Sequence, residues 1–159
     1  MTDNPVLLSF GSNLGDAERI FNTALRALMR SGFILNARSS AYHSKAFGCE
    51  PDAPDFRNIS VLGIWNGTPE KLLNLVQKLE IEAGRPADHP HWVSRTLDID
   101  ILLMGGLRLE TERLRLPHPE MLKRDFVLIP SNEIASGMKI PGTNRLLGDF
   151  ANDIVTAAH

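Results

Sequence analysis

The sequence predicts one domain, over residues 1–159, in which strands and helices alternate along the chain. Short apolar runs with alternating side chains, such as Asn58 to Trp65, are typical of half-buried strands. Two longer segments repeat apolar residues with helical spacing, and the second begins at Thr68 and Pro69, a typical helix start. A length of 159 residues is enough for one domain with a sizeable core.

The composition excludes several classes of function. A hydrophobic content of 43% and a charged content of 23% are ordinary for a globular protein. The formal net charge of −2 provides no general attraction for nucleic acid or anionic membranes. Cys49 is the only cysteine, no signal peptide is visible, and no apolar run reaches the ~20 residues of a membrane span. We therefore expect a cytoplasmic protein without nucleic-acid or membrane partners.

The first half of the chain is expected to contain three strands and two helices. The expected order is a strand at 6–10, a turn at 11–16, a helix ending near 32, a strand at 33–42, a loop at 43–57, a strand at 58–65 and a helix from 69 to 83. The glycine-rich turn could cap the first helix through Asn or Asp, or could cradle a phosphate. Capping is favoured because no Gly-Lys-Ser/Thr and no GxGxxG motif follows.

The second half begins with a loop at 85–94, which could act as a mobile lid. A central strand at 95–103, a hairpin turn at Gly105-Gly106 and a returning strand at 107–116 are expected next. Residues 127–129 fit either a strand or a buried helix, because their period does not separate the two. A short helix at 131–135 and a last amphipathic helix, spaced by Leu146, Phe150 and Ile154, complete the prediction.

An acidic strand is the most informative feature. Leu97, Ile99, Ile101 and Leu103 alternate as a buried face should, which places Asp98 and Asp100 together on the opposite face. Their Cα atoms would lie about 6.5 Å apart, close enough for both carboxylates to bind one or two hard cations. Asp is disfavoured in strands, and Mg²⁺ combines one or two carboxylates with water and substrate phosphates. A solvated acidic face is the alternative.

Cations accompany this strand. The loop at 85–94 and its flanks contain Arg85, Trp92 and Arg95, and a second set follows at Arg113, Arg115, His118 and Arg124. Phosphoryl transfer requires mainly positioning and charge neutralisation, which Arg side chains and metal ions supply. His89 and His91 have a spacing that could bind a transition metal, but no third ligand lies near them in the sequence.

Several motifs, in this order, resemble the 6-hydroxymethyl-7,8-dihydropterin pyrophosphokinase family. The resemblance extends over about residues 5 to 140, and its most specific part is the segment from Arg95 to Asp100. The motifs are Val6 to Asp16, Pro54 to Asn58, Gly84-Arg85, Trp92 to Leu102, Leu116 to Pro119, Arg124 to Pro130 and Glu133 to Ala135.

The resemblance implies a ferredoxin-like α+β fold with a mainly antiparallel sheet and helices packed on its faces. It also implies transfer of the β,γ-pyrophosphoryl group of ATP to the pterin hydroxymethyl group, by a monomer, with two Mg²⁺ ions held by Asp98 and Asp100. The same carboxylates, with Arg85 and Arg95, would be catalytic. The expected ATP-binding residues are Gln77, Trp92, Arg95, Arg113, His118 and Arg124. The expected pterin-binding residues are Ser44, Phe47, Phe56, Asn58, Trp92 and Phe126, and Glu80 matches a position near the adenine.

Some positions depart from the family pattern. Ser44-Lys45 stands where Thr-Pro is usual, and Val93-Ser94 where Gly-Pro is usual. Ala87 and His91 stand where the lid commonly has further Arg or Lys residues, so the lid is expected to be less charged. Two alternatives therefore stay open: a weakly active relative that binds pterin or nucleotide, and a generic Mg-dependent phosphoryl or nucleotidyl transferase.

Overall fold

A computed structural model describes residues 3–13, 16–44, 56–84 and 96–158. In chain order its elements are β1 (Asn4–Ser12), α1 (Ala17–Arg30), β2 (Ile34–Arg38), β3 (Tyr42–Ser44), β4 (Phe56–Trp65), α2 (Pro69–Glu82), β5 (Asp98–Met104), β6 (Leu109–Glu110), β7 (Arg115–Leu116), a 3-10 turn (Met121–Lys123), α3 (Asp125–Ala135) and α4 (Leu147–Ala158).

The main sheet has the strand order β2-β4-β1-β5, and β3 also pairs with β4. Each of these pairings is antiparallel, and β6 and β7 form a separate small ribbon. Helices pack on both faces of the sheet. The predicted ferredoxin-like α+β class, with a mainly antiparallel sheet, is therefore confirmed.

Two apolar clusters bury the two faces of the sheet. One contains Val6, Leu8 and Phe10 of β1 together with apolar residues of α1 and α2. The other contains Leu7 of β1 and Leu103 of β5 together with residues of α3 and α4. The expected alternation of Leu103 with Ile101 on one face is wrong, because the pairing of β1 with β5 shifts register between Leu7 and Leu8. The alternation of β1 between the two clusters follows from the period of two in strand side chains. One sheet thus supports both cores.

Helix α2 begins as the sequence predicts. Thr68 is the N-cap residue, its side chain accepts a hydrogen bond from the Lys71 backbone N–H (3.1 Å), and Pro69 occupies the first helical turn. Helix α1 also begins where expected, after Asp16. The predicted side-chain cap is wrong there, because the Asp16 side chain makes no capping hydrogen bond.

The strand expected at 33–42 is two strands, β2 and β3, both paired with β4. Ser39 lies between β2 and β3, and its side chain interrupts the regular backbone pairing with β4. The Ser39 N–H donates to the Ser60 carbonyl (2.9 Å), and the Ser39 Oγ accepts from the Ser60 N–H (2.8 Å). The loop expected at 43–57 is shorter than predicted at both ends, because Ser44 belongs to β3 and Phe56 begins β4.

The expected return strand at 107–116 is wrong. A turn at 111–114, closed by the Thr111 N–H and the Leu114 carbonyl (3.0 Å), divides it into β6 and β7, and the Gly105-Gly106 turn closes no hairpin with β5. Strand β5 is an edge of the described sheet and not its centre. Its outer edge is instead capped by Glu80, which accepts from the Ile99 N–H (2.9 Å), and by the His118 N–H, which donates to the Leu102 carbonyl (2.9 Å).

Residues 127–129 are helical. They form one helix, α3, with the segment expected as a separate short helix at 131–135, and Pro130 lies inside it. Val127 and Leu128 pack into the second cluster, which explains their continuous apolar pattern. Within the described residues, no helix is long and apolar enough to cross a bilayer.

The Thr68 cap predicts a measurable contribution to stability. Thr68→Ala removes the acceptor for the Lys71 N–H and should lower the free energy of unfolding by about 1 kcal/mol. Thr68→Ser keeps the hydroxyl acceptor and is the matched control. Urea unfolding of the three proteins checks this, and an equal loss in both variants would show that the threonine methyl group, not the cap, is responsible.

Candidate active site

The candidate site lies on the sheet face that α3 and α4 cover only in part. On this face β5 presents Leu102 to the second apolar cluster and then, toward its N-terminal end, Asp100 and Asp98. The side chains that β4 presents on this face likewise change from apolar to polar, from Leu62 to Ser60 and Asn58. The face is therefore mainly apolar beneath the helices, where Ser60 contacts Ser131 of α3, and polar beyond them.

Strand register aligns the polar residues in rows across the sheet. Gly11 of β1 lies between Asn58 of β4 and Asp98 of β5, and Ser9 lies between Ser60 and Asp100. Neighbouring strands are about 4.8 Å apart, so the Asn58 and Asp98 backbones are separated by about 10 Å. Glycine places no side chain in this interval. A Cβ at Gly11 would lie 2.9 Å from the Asn58 Oδ1.

These rows, apart from the buried Ser60, form the floor of a cavity of about 290 Å³. The described residues that line it are Ser9, Gly11, Ser44, Phe56, Asn58, Asp98, Asp100, Arg124 and Phe126. Larger depressions lie between α1 and α2 (about 450 Å³) and beside Arg108 (about 520 and 610 Å³). Their described lining contains neither a carboxylate pair on one strand nor an aromatic side chain, so we assign the site by its chemistry and not by its size.

The two carboxylates of β5 are held on a firmly anchored strand. Asp98 and Asp100 are half-buried, and Ile99 between them is buried in the core. The Glu80 carboxylate of α2 accepts the Ile99 N–H at 2.9 Å, which fixes the backbone between the pair. The described residues contain no group of three or more His, Cys, Asp or Glu side chains suited to a metal. A cation bound here would therefore need water or substrate oxygens to complete its shell.

His118 lies beside this pair with a defined tautomer. Its Nδ1 accepts the Glu120 backbone N–H (3.1 Å), so the proton of the neutral ring is on Nε2, 3.9 Å from the Asp100 Oδ1. Burial lowers the pKa of His118 below its ordinary value; Asp100 acts in the opposite direction and Arg124 adds to the lowering. The neutral ring therefore presents an N–H donor toward the acidic pair.

The opposite side of the cavity is aromatic and amide-lined. Phe56 and Phe126 are half-buried, and the Arg124 guanidinium lies 5.7 Å from the centre of the Phe126 ring. The Asn58 Nδ2 donates to the Ser44 Oγ at 2.9 Å. This bond orients the amide, so Asn58 can offer polar edge contacts to a flat ligand while the phenyl rings offer stacking faces.

Two of the expected nucleotide-binding residues lie together but apart from the described cavity lining. Arg113 bonds the Glu70 carboxylate (2.8 and 3.1 Å), the Asn74 Oδ1 (2.7 Å) and the Gln77 Oε1 (3.3 Å), along the exposed face of α2. The Arg113 charge is thus already paired with Glu70. The structure brings Gln77 and Arg113 together without joining them to the acidic pair.

Several expected site residues lie outside the described residues. From the pterin set they are Phe47 and Trp92, and from the catalytic and nucleotide sets Arg85, Trp92 and Arg95. The departures from the family pattern at Lys45, Ala87, His91, Val93 and Ser94, and the pair His89 and His91, lie there too.

Sequence reasoning missed three residues of this region. Ser9 and Gly11 line the cavity, and their signal was a polar and a small residue interrupting the apolar face of β1. Asn13 follows β1, is buried, and has no hydrogen-bond partner for either amide atom among the described contacts. Burying an amide group without hydrogen-bond partners costs free energy of folding, so packing alone does not explain an asparagine at this position.

Known proteins match both the sequence and the fold. A family model described as 7,8-dihydro-6-hydroxymethylpterin-pyrophosphokinase (HPPK) matches residues 7–136. The 2-amino-4-hydroxy-6-hydroxymethyldihydropteridine pyrophosphokinase of Haemophilus influenzae is 39% identical over 149 residues, covering 91% of this chain and 92% of that protein. The protein of the same name from Bacillus subtilis is 36% identical over 143 residues, covering 89% and 84%.

Among solved structures, the crystal structure of Plasmodium falciparum HPPK-DHPS wild type with pteroate is similar, with a TM-score of 0.76. The sequences are 14% identical, and the match covers 98% of this chain and 45% of that chain. At this identity the likeness supports the fold alone.

The lowered pKa of His118 predicts how stability depends on pH. Because the folded state disfavours the imidazolium, the unfolded state binds more protons below the ordinary pKa of 6.5. In metal-free buffer, the free energy of unfolding should fall as the pH drops through and below 6.5. His118→Gln, which cannot titrate, should reduce this slope in urea unfolding between pH 7.5 and 5.5. Parallel pH profiles for the two proteins would contradict the assignment.

Proposed function

Because the chain belongs to the 7,8-dihydro-6-hydroxymethylpterin-pyrophosphokinase family, we propose that it transfers the pyrophosphoryl group of ATP to the hydroxymethyl group of 6-hydroxymethyl-7,8-dihydropterin. The products are AMP and the pterin diphosphate, a step of folate biosynthesis. The observation that carries this proposal is the row across the sheet, in which the Asn58 amide and the Asp98 carboxylate face a shared space over Gly11.

The pterin is assigned to the aromatic side of the cavity. A pterin ring is flat and rich in donors and acceptors, so it can stack on Phe56 and Phe126 and hydrogen-bond to Asn58. Ser44 holds the amide of Asn58 through the 2.9 Å bond. With the ring on this side, its hydroxymethyl group can extend along the row toward Asp98 and Asp100. Phe47 and Trp92 are proposed to complete this pocket.

Asp98 and Asp100 are assigned as the ligands of Mg²⁺, and two ions are proposed. The donor set fits: both groups are carboxylates, both lie on one strand face, and both line a cavity open to substrate. Mg²⁺ prefers such oxygen donors and leaves other positions to water and phosphate. When bound, the metal would neutralise phosphate charge and fix the phosphate oxygens.

The chain's own residues orient the triphosphate around this centre. His118 offers its Nε2–H beside Asp100, and Arg124 brings a fixed positive charge to the cavity wall. Arg85 and Arg95 are proposed to act on the phosphates as catalytic cations, with Trp92 also on the nucleotide. Gln77 and Arg113 are proposed to bind the distal part of ATP, which requires Arg113 to loosen its bonds to Glu70.

The alternatives differ in product and in pocket. A generic phosphoryl transferase needs the acidic pair but has no use for two phenyl rings and an oriented amide on the other side of the cavity. A binding-only relative would keep that pocket without turnover. The aromatic and amide side of the cavity thus disfavours the generic transferase, and the intact carboxylate pair favours an active enzyme over the binding-only relative.

We further propose that the chain forms a single pterin pyrophosphokinase domain and acts as a monomer in the cytoplasm. The two apolar clusters on opposite faces of one sheet support the single domain. The single cysteine, Cys49, supports a compartment in which disulfides are not used.

The test is product identity with wild type and two charge-neutralised variants. Incubated with ATP, Mg²⁺ and the hydroxymethyl dihydropterin, the wild type should form AMP in step with pterin diphosphate. Asp98→Asn and Asp100→Asn keep the shape of the side chain but remove its charge. Each should fold normally and lose at least ~100-fold in rate, a typical loss for a key electrostatic group.

Chromatographic quantification of AMP and ADP distinguishes the outcomes. ADP formation would indicate an ordinary kinase, and neither product would indicate a binding protein. A near-wild-type rate in either variant would show that the carboxylates of β5 are a solvated acidic face and not a metal site.

A further inference from the structure

The two sides of the proposed pterin pocket come from distant parts of the chain. Phe126 belongs to the first turn of α3, whereas Ser44, Phe56 and Asn58 belong to β3 and β4. Asn58 and Phe126 are 68 positions apart in the sequence. The width of the pocket therefore depends on non-covalent contacts between α3 and the strands.

One carboxylate outside the cavity lining contacts both sides. The Asp125 Oδ1 accepts the backbone N–H of Phe126 at 2.8 Å, and its Oδ2 accepts the Tyr42 hydroxyl at 3.2 Å. Tyr42 is paired directly with Asn58 across β3 and β4 and lies two residues before Ser44. Through Asp125, the backbone of Phe126 is thus bonded to the cross-strand row that contains Asn58.

The phenol remains a donor under all ordinary conditions. Burial raises the pKa of Tyr42 above its usual 10.0, and the Asp125 carboxylate raises it further. The direction of the hydrogen bond is therefore fixed, with Tyr42 donating and Asp125 accepting.

Two other contacts hold α3 independently of this bond. The Glu133 carboxylate accepts the Ser40 N–H (3.0 and 3.2 Å) and the Ser40 Oγ–H (2.9 Å), and the buried Ser60 and Ser131 hydroxyls lie 2.7 Å apart. Glu133 lies eight residues beyond Asp125, about 12 Å along the helix. Loss of the Tyr42–Asp125 bond would therefore loosen the first turn of α3 without releasing the helix.

From this arrangement we propose that Tyr42 and Asp125 are positioning residues that set the spacing between Phe126 and Asn58, and so the affinity for the pterin. This inference rests on the proposed function. It assigns the pair no contact with either substrate. Their effect should fall mainly on the pterin, because Asp125 bonds the backbone of Phe126 whereas the acidic pair of β5 lies on the opposite side of the cavity floor.

The test compares steady-state and equilibrium pterin binding in three variants. Tyr42→Phe removes only the hydroxyl, and Asp125→Ala removes the acceptor. Each should raise the pterin KM and Kd about three- to fivefold, the size expected for one modest hydrogen bond. The ATP KM and kcat at saturating pterin should stay within about twofold. In the double variant the increase should equal that of Asp125→Ala alone, because Asp125→Ala has already removed the bond that Tyr42→Phe removes.

Asp125→Asn is the rescue variant. Its amide oxygen can accept the Phe126 N–H and its Nδ2 can donate to the Tyr42 oxygen, so pterin affinity should return close to wild type. Asp153→Ala is the matched control. It removes the exposed, charge-assisted hydrogen bond that Arg145 donates to Asp153 of α4 (2.7 Å), away from the pocket, and should leave both affinities unchanged.

Each outcome decides the proposal. Unchanged pterin affinity in Tyr42→Phe, multiplicative losses in the double variant, or equal losses for ATP and pterin would overturn it. If the wild type binds the pterin and forms AMP while the variants behave like it, only this inference fails. If the wild type neither binds the pterin nor forms AMP, the proposed function fails together with it.

Discussion

The site depends above all on the register of β1 with its two neighbours, β4 and β5. This register places Gly11 between Asn58 and Asp98, and Ser9 between Ser60 and Asp100. A slip of one residue would turn each of these side chains to the other face, because strand side chains alternate with a period of two. The polar groups would then enter the core beneath α1 and α2. The buried face thus specifies the register, and the register specifies the site.

The same sheet face serves stability and function in different places. Where α3 and α4 cover it, Leu7, Leu62 and Leu102 bury apolar surface. Beyond the helices it carries amide and carboxylate groups that would be costly to bury without partners. The opposite face is apolar through Val6, Leu8 and Phe10, which are fully buried. Functional groups therefore stand on strands whose reverse side is firmly packed, which gives a precise site.

Local patterns in the sequence were sufficient for some of these features. The alternation of Leu97, Ile99 and Ile101 placed Asp98 and Asp100 on one face, and the structure shows both lining one cavity. The Thr68-Pro69 helix start was also predictable, because a cap is formed by residues close in sequence. The pairing of Asn58 with Phe56 and Phe126 in one pocket rested on the family resemblance, and the cavity lining is consistent with it.

Other features depend on contacts between distant residues, which no local period reveals. The strand expected at 33–42 divides because Ser39 bonds to Ser60 on β4. The strand expected at 107–116 fails because the edge of β5 is satisfied by Glu80 and the His118 N–H instead. The Tyr42–Asp125 bond joins residues eighty-three positions apart. Such contacts follow from the assembled fold and not from propensity.

The central claim is that the space over Gly11 receives the pterin between the Asn58 amide and the β5 carboxylates. Pterin affinity in Gly11→Ala tests it most directly, because the added Cβ would lie 2.9 Å from the Asn58 Oδ1 and displace a side chain, not backbone. Gly106→Ala is the matched control, since a Cβ there meets nothing within 4 Å. Calorimetric titration should show that Gly11→Ala binds the pterin at least ~10-fold more weakly, as expected when a buried polar contact is lost. Its nucleotide affinity and its unfolding midpoint should stay near those of the wild type. Pterin binding as tight in Gly11→Ala as in Gly106→Ala would contradict the account.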